Sequence, residues 1–378
     1  MKILCAPDSF KESLTATQGA QAMKRGVLRV VPDAAVDLCP IADGGDGTVD
    51  AMLAATGGQR MTSQVQGPLA EPLGADWGMF EAAERTAVIE MAAASGLALV
   101  PIKQRDPRET STFGTGQLIA AALDAGAKTI ILGIGGSATN DGGCGMAQAL
   151  GAVFLNASGE PIEKPFVGKR LSDIARIDLS ALDARLSQTR VTVACDVNNP
   201  LTGPNGAAAI YGPQKGATPP IVEFLDAGLV NLAQHMRADL DKDVQTTRGV
   251  GAAGGLGGGL VAFLGAILKP GVSMVLDAVD FDTRVRGCDL CLTGEGRIDG
   301  QSLSGKACLG VAQAAGLHGV ETIALVGKAG PGAEATLEHG LASYHPISEG
   351  LPLDEAIRRA SELLEETTAR VLRTRFVE

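Results

Sequence analysis

The sequence predicts an α/β protein made of two domains. Short runs of β-forming residues recur along the 378 residues, and alanine-rich segments with helical spacing lie between several of them. Alternation of this kind predicts a largely parallel sheet covered by helices. The alternation is regular near both chain ends, whereas longer loops are expected over residues 58–84 and 150–287. We therefore predict a discontinuous, doubly wound domain over residues 1–65 and 285–378, and a second α/β domain inserted over residues 66–284.

The predicted elements follow the apolar and β-branched runs in chain order. Strands are predicted over residues 2–6, 35–41, 87–91, 129–134, 190–195, 289–293 and 322–326. Helices are predicted over residues 15–30, 111–125 and 353–373. Thr15 and Gln18 have the spacing of a capping box at the start of the first helix. The strand at 129–134 fits either domain.

Composition argues against nucleic acid as a partner and against a histidine-bound metal. Aromatic residues are only 3% of the chain, and the net charge is −11. Single-strand binders need aromatic stacking platforms, and phosphate backbones need basic patches. The four histidines are far apart and lack metal-ligand spacing, which also disfavours a Ser-His-Asp hydrolase.

The sequence also favours a cytoplasmic protein that does not span a membrane. The seven cysteines are odd in number and scattered, which is typical of reduced thiols. The N-terminal apolar run is too short for a signal peptide. The uncharged stretch 249–268 contains eight glycines, so we interpret it as a glycine-rich loop that enters a buried helix.

Five polar, glycine-rich clusters follow predicted strands, where ligands bind in open α/β sheets. The first, over residues 6–13, places Asp8, Ser9 and Lys11 within four positions before a helix. An anion could be held there by the ammonium, the hydroxyl and the helix N-terminus. A capped turn with a solvated lysine is the alternative.

The second cluster, over residues 40–48, places Asp43 and Asp46 among three glycines. The glycines allow the backbone to approach a ligand closely, and either carboxylate could meet a metal ion or a hydroxyl group. An ordinary Asp-Gly turn is the alternative.

The third cluster, over residues 133–143, is the strongest candidate for binding phosphate. Its backbone N–H groups and polar side chains can surround an anion. It also fits the G-x-G-x-x-[GA] pattern, but residues 153–156 lack the acid that a dinucleotide site requires. The predicted phosphate ligands are Gly135, Gly136, Ser137, Thr139 and Asn140.

The fourth cluster, over residues 194–201, contains Asp196 and two asparagines at the end of a predicted strand. An isolated carboxylate in this position suits a general base for a hydroxyl nucleophile. An Asx-turn before Pro200 is the equally weighted alternative.

The fifth cluster, over residues 293–299, contains Glu295, Arg297 and Asp299. The arginine can bind a carboxylate or phosphate in a bidentate manner, and the acids can hold Mg²⁺ through water. A local ion-paired turn is the alternative. The following string 300–306 matches G-x-x-x-x-G-K, but it is followed by alanine where a P-loop needs Ser or Thr.

The chain resembles the type-1 glycerate kinases in seven blocks whose order and spacing agree. The blocks are residues 6–14, 42–48, 90–97, 133–143, 194–201, 211–217 and 293–299. The resemblance implies ATP-dependent phosphorylation of the small-molecule substrate D-glycerate with Mg²⁺. It favours 2-phosphoglycerate as the product, with 3-phosphoglycerate as an alternative. It also implies two α/β domains, one of them flavodoxin-like and discontinuous, with the active site in the cleft.

Within these blocks we assign roles as hypotheses. Lys11, Ser9 and Arg297 hold the substrate carboxylate, with Asp8 beside them. Lys11 is also a catalytic residue, together with Asp196. Asp196 orients or deprotonates the attacking hydroxyl. Gly135, Gly136, Ser137, Thr139 and Asn140 bind ATP phosphates, and Asp43, Glu295 or Asp299 carries Mg²⁺.

Two other functions remain open at this point. One is a Rossmann-type NAD-dependent oxidoreductase of a small hydroxy acid, which the missing acid after the third cluster disfavours. The other is a non-catalytic regulator that binds a sugar acid or a nucleotide. The sequence leaves the oligomeric state undetermined.

Overall fold

The computed structural model describes residues 1–300, 302 and 307–376, and it confirms the predicted α/β class. Most of the P-loop-like string at 300–306 lies outside the described residues. The chain forms two compact units. The terminal unit comprises residues 1–43, 50–58 and the described residues from 270 onward. The inserted unit comprises residues 44–49 and 59–269.

Most strands are short, and most of their buried residues are apolar. They are β1 (Lys2–Cys5), β2 (Ala35–Leu38), β3 (Gln59–Gln66), β4 (Pro72–Glu81), β5 (Arg85–Glu90), β6 (Thr129–Gly133), β7 (Val153–Leu155), β8 (Arg176–Asp178), β9 (Arg190–Ala194), β10 (Ile267–Lys269), β11 (Leu290–Ile298), β12 (Thr322–Ala329) and β13 (Ser343–Pro346).

The helices differ widely in length. They are α1 (Ala16–Leu28), α2 (Thr48–Thr56), α3 (Ala92–Ser95), α4 (Phe113–Asp124), α5 (Cys144–Ala149), α6 (Ala207–Tyr211), α7 (Pro219–Leu240), α8 (Leu256–Leu264), α9 (Gly271–Ala278), α10 (Phe281–Val285), α11 (Ala307–Gly316), α12 (Leu353–Arg358) and α13 (Ala360–Phe376).

The terminal unit contains a parallel sheet in the order β13-β12-β11-β1-β2 over its described strands. Numbered within the unit, this is the 2-1-3-4-5 order of flavodoxin-like folds. The strand order reverses between β1 and β11, so this is the unit's topological switch point. Ile3, Leu292 and Leu325 form its core with Met23 of α1 and Leu364 of α13.

Two details of this unit bear on the sequence predictions. The capping box at α1 is confirmed, because Thr15 N donates to Gln18 Oε1 at 2.9 Å and Gln18 N donates to Thr15 Oγ1 at 3.2 Å. The strand predicted over 289–293 continues to Ile298, so two members of the fifth cluster lie on β11 itself. A Cβ on Gly294 would lie 2.3 Å from the Leu325 carbonyl oxygen, so close strand pairing requires that glycine.

The inserted unit contains a mixed sheet in the order β10-β9-β6-β5-β4-β3 over the described residues. Strands β5, β6, β9 and β10 run parallel, and β3, β4 and β5 run antiparallel. The strand near 129–134, which the sequence left unplaced, is β6 of this sheet. The long loops expected over 58–84 are instead the hairpin β3–β4.

Helix α8 follows the glycine-rich segment after residue 249 and is largely buried, as predicted. Across the described ranges, every helix is too short or too polar to cross a bilayer. The helix predicted over 353–373 is divided into α12 and α13 at Arg359.

Candidate active site

Three carboxylates lie at the carboxyl edge of the sheet in the terminal unit. Asp8 follows β1, Asp43 follows β2 and Glu295 lies on β11 beside the switch point. Burial, together with the negative charges of Asp43 and Glu295, raises the pKa of Asp8 to about 7. We call these residues the carboxylate trio. Parallel pairing places them at one sheet edge, as the sequence predicted for cluster residues that follow neighbouring strands.

Lys11 and Ser9 belong to the same edge. Ser9 N donates to Asp8 Oδ1 at 2.6 Å, and this hydrogen bond opposes the rise in the pKa of Asp8. The charge of Lys11 acts in the same direction, so its ammonium lies near the Asp8 carboxyl group. The Lys11 side chain is exposed. The edge therefore offers a cation beside three acids, which suits an anionic ligand bound together with a metal ion.

The trio does not form a metal site by itself. Across the described residues, no group of three or more His, Cys, Asp or Glu side chains is arranged so that it could hold a metal ion. Mg²⁺ is commonly held by one or two carboxylates, with water and substrate phosphates completing its octahedron. Mutually repelling carboxylates beside a lysine fit that kind of incomplete protein site.

Arg297 and Asp299 form an ion pair in the terminal unit. Arg297 Nε lies 2.9 Å from Asp299 Oδ2, and the arginine side chain is 60% exposed. This is the local ion pair that the sequence offered as the alternative for the fifth cluster. A carboxylate ligand at Arg297 would compete with Asp299 for the guanidinium group.

The loop over residues 133–143 connects β6 to α5 in the inserted unit. Gly136 has a φ of +71°, a backbone conformation that residues other than glycine rarely adopt. Asn140 is fully buried, yet neither polar atom of its amide has a hydrogen-bond partner among the described residues. The buried hydroxyl of Thr139 likewise has no hydrogen-bond partner among the described residues. Buried polar groups are rarely left unpaired, so these two side chains point to a ligand.

The buried Asp141 side chain fixes the conformation of this loop through hydrogen bonds. Its carboxylate is fully buried and accepts from Thr112 N at 2.8 Å, Thr112 Oγ1 at 2.7 Å, and Gly143 N and Gly145 N at 3.2 Å each. Burial raises the pKa of Asp141, and the donated hydrogen bonds oppose the rise. The loop is thus tied to the start of α4 and to α5.

Lys215 is a buried residue of this site that lies in the 211–217 block but was not among the predicted site residues. Its side chain is 1% exposed, and its Nζ donates to the Thr139 carbonyl oxygen at 2.6 Å. Burial lowers the pKa of Lys215 to about 7, and the nearby charge of Asp141 opposes that shift. The only available signal was the spacing Gly212-Pro-Gln-Lys-Gly216 between apolar runs, which did not indicate burial.

Substituting Lys215 with methionine is expected to change how stability depends on pH. Between about pH 7 and pH 10 the unfolded lysine is protonated and the folded one is neutral, so the unfolded state binds the extra proton. Wild type should therefore gain stability relative to Lys215→Met by up to about 1.4 kcal/mol per pH unit above pH 7. Urea unfolding from about pH 6 to pH 9 measures this difference. Free energies of unfolding that change with pH in parallel for wild type and Lys215→Met would contradict the assignment.

Asp196 follows β9 in the inserted unit and is exposed. Its cluster neighbour Asn199 is structural, because its Nδ2 donates to the Asn205 carbonyl at 2.8 Å and its Oδ1 accepts from Tyr211 at 2.6 Å.

The second cluster is divided: Asp43 belongs to the terminal unit, whereas Asp46 belongs to the inserted unit. A Cβ on Gly136 would lie 3.5 Å from Asp46 Oδ1, so Asp46 borders the 133–143 loop.

Comparison with known proteins identifies the family. Residues 3–375 match the model of the glycerate kinase family. The chain belongs to this family. Glycerate kinase of Halalkalibacterium halodurans is 50% identical over 370 residues, covering 98% of this chain and 97% of the relative. Glycerate 2-kinase of Escherichia coli K12 is 48% identical over 361 residues, covering 95% and 94%.

A solved glycerate kinase structure has the same fold. The crystal structure, assigned to glycerate kinase 2 of Salmonella typhimurium LT2, superposes with a TM-score of 0.90 at 47% identity. The match covers 99% of this chain and 98% of that one. The resemblance found in the sequence is confirmed, and this member of the family is an enzyme of the glycerate kinase class. The comparisons favour this class over the oxidoreductase and regulator alternatives.

Proposed function

We propose that this enzyme transfers the γ-phosphoryl group of ATP to D-glycerate, with Mg²⁺, and forms 2-phosphoglycerate in the cytoplasm. The observation that carries the proposal is the buried, unpartnered amide of Asn140 in a glycine-rich loop, in a chain of the glycerate kinase family. The 48% identical relative named glycerate 2-kinase supports phosphorylation at the 2-hydroxyl. ATP is the donor that the kinase family implies.

In the terminal unit, we assign binding of glycerate to Asp8, Ser9, Lys11 and Arg297. The ammonium and guanidinium groups would neutralise the substrate carboxylate, and the Ser9 hydroxyl would donate to it. Asp43 and Glu295, together with Asp299 on the neighbouring segment, would hold Mg²⁺. When bound, Mg²⁺ supplies positive charge that offsets the charge of the phosphates.

In the inserted unit, we assign the ATP phosphates to Gly135, Gly136, Ser137, Thr139 and Asn140. Backbone N–H groups and the unpartnered Thr139 and Asn140 side chains supply the donors, while Lys215 and Asp141 fix the loop. Asp196 would accept the proton of the attacking hydroxyl group. Phosphoryl transfer depends mainly on such positioning and charge neutralisation.

Phosphorus NMR of the reaction product tests this function and its regiochemistry. The full-length enzyme is incubated with ATP, MgCl₂ and D-glycerate. A new phosphomonoester signal split into a doublet is expected, because the phosphorus of 2-phosphoglycerate couples to a single methine proton. A triplet, which reports coupling to a methylene group, would show 3-phosphoglycerate instead. The absence of any new phosphomonoester would contradict the kinase proposal.

The variant Asn140→Ala should separate ligand binding from stability. Because the amide makes no hydrogen bond within the described chain, its removal should leave the unfolding free energy within about 1 kcal/mol of wild type. Loss of a donor to phosphate should raise KM for ATP by about tenfold. Urea unfolding and steady-state kinetics measure the two effects.

Asn231→Ala is the matched control for Asn140→Ala. Asn231 Nδ2 donates to the carbonyls of Leu171 at 3.0 Å and Ile174 at 2.9 Å. Its loss should cost about 1–3 kcal/mol of stability with KM for ATP unchanged. If Asn140→Ala instead destabilises the protein as much as the control and leaves KM unchanged, Asn140 is a structural residue.

A further inference from the structure

A pocket of about 520 Å³ lies in the terminal unit at the carboxyl end of its sheet. Its lining includes Phe10 and Lys11 after β1, Gly296 on β11 and Lys328 on β12. Strands β1 and β11 flank the point where the strand order reverses. In doubly wound sheets, ligands bind outside the carboxyl ends of the strands at this switch point.

The size and one wall of the pocket suit a nucleoside. Pockets for cofactor-sized ligands have volumes of roughly 300–1,000 Å³, and a three-carbon acid would fill only a small part of this one. Ile347, Leu351, Leu353 and Ile357 form an aliphatic wall. Leu353 is 70% exposed, so the wall presents apolar surface that a flat base could cover.

The charged residues of the lining suit a phosphate group. The described lining includes two lysines, Lys11 and Lys328, and one acid, Glu349. The net charge of these three side chains is positive, which favours an anionic group.

A second pocket of the terminal unit has the opposite character. Its volume is about 650 Å³, and its described lining includes Asp277, Asp280 and Asp282 but no lysine or arginine. Three carboxylates without a cation would repel a triphosphate. Charge therefore distinguishes the two pockets as candidates for a nucleotide.

We propose that the pocket bordered by Lys11, Lys328 and Leu353 binds the nucleoside end of a nucleoside triphosphate, with the base on the aliphatic wall and the phosphate next to the ribose toward Lys328. This assignment rests on the proposed function, because that function supplies ATP as the ligand. It adds a base-binding site to that function.

Leu353→Glu tests the wall, with Leu317→Glu as the matched control. Leu317 is 84% exposed and lines the second pocket, so both variants place a carboxylate on an exposed leucine of the same unit. ADP binding to the full-length protein is measured by calorimetry without glycerate. Leu353→Glu should raise the Kd for ADP and the KM for ATP by about tenfold or more, through charge repulsion and loss of the wall. Leu317→Glu should leave both near wild type.

Lys328→Gln tests the charged residues of the lining, independently of the aliphatic wall. Loss of a charged contact should weaken ADP binding by about tenfold, and Lys328→Arg should restore most of it. KM for D-glycerate should stay within about twofold in all these variants, and thermal unfolding checks that each one is folded.

The outcomes separate the pocket from the kinase function. If wild type releases ADP with D-glycerate but folded Leu353→Glu and Lys328→Gln bind ADP normally, the pocket assignment is overturned and the function stands. A rise confined to KM for D-glycerate also overturns it, because the acceptor would then occupy the pocket. If the variants weaken ADP binding but wild type releases no ADP with D-glycerate, the pocket assignment stands and the proposed function fails.

Discussion

Replacing Asp196 with asparagine is expected to lower kcat by about 10²- to 10⁴-fold, the usual contribution of a general base. Asparagine has nearly the same shape and can still accept a hydrogen bond, but it cannot take the proton of the attacking hydroxyl group. Asp196 follows a buried parallel strand and its side chain is exposed, so the substitution should not disturb packing. KM for both substrates should change by no more than a few-fold, because the lost interaction acts in the transition state.

Steady-state kinetics with ATP and D-glycerate measure this effect. Asp243→Asn, another exposed aspartate of the inserted unit, is the control and should keep the wild-type kcat. If Asp196→Asn retains a near wild-type kcat, Asp196 is not the base, and its place after β9 reflects the Asx-turn alternative.

Lys11→Gln should lower kcat/KM by about 10²- to 10³-fold, the usual loss when one donor to a developing charge is removed. Its positive charge lowers the pKa of Asp8, at the sheet edge that also carries Asp43 and Glu295. Without it, substrate and phosphate charges would meet the three acids with less compensation. The pKa of Asp8, already raised to about 7, should rise further, because the Lys11 charge now opposes that rise.

Lys11→Arg and Lys103→Gln are the comparisons for this variant. Arginine keeps the positive charge and should recover part of the activity, although its planar guanidinium group does not have the shape of the compact ammonium group. Lys103 is exposed in the inserted unit, and its loss should have little effect. Equal activity of Lys11→Gln and wild type would remove Lys11 from the catalytic set.

Strands buried on both faces could be predicted from sequence more readily than mostly exposed ones. Residues such as Ile130, Ile131 and Leu132 form a continuous apolar run, and the corresponding strand was predicted. Strand β3 reads Gln-Arg-Met-Thr-Ser-Gln-Val-Gln and is mostly exposed, so its composition does not indicate a strand, and its pairing with β4 is visible only in the structure. The helix α7 was missed, although its two leading prolines occupy positions where proline favours the start of a helix.

The positions of some candidate residues could be predicted where a physical rule links sequence to space, whereas their roles stay predictions. Parallel strands place the residues that follow them at one edge, so the positions of Asp8 and Asp43 at the sheet edge could be predicted before any coordinates. The burial of Lys215 could not be predicted, because it depends on the Thr139 carbonyl and Asp141, which lie more than seventy positions away in sequence. Glu295 was placed after its strand, because Gly294 and Gly296 resemble a turn when the pairing with β12 is unknown.

The decisive measurement is release of ADP by the full-length enzyme with ATP and MgCl₂, over a panel of small hydroxy acids. Saturable ADP release that requires D-glycerate, with no reduction of NAD⁺ by the same acids, is the predicted result. Binding of ATP and D-glycerate without ADP release, or hydride transfer to NAD⁺, would contradict it.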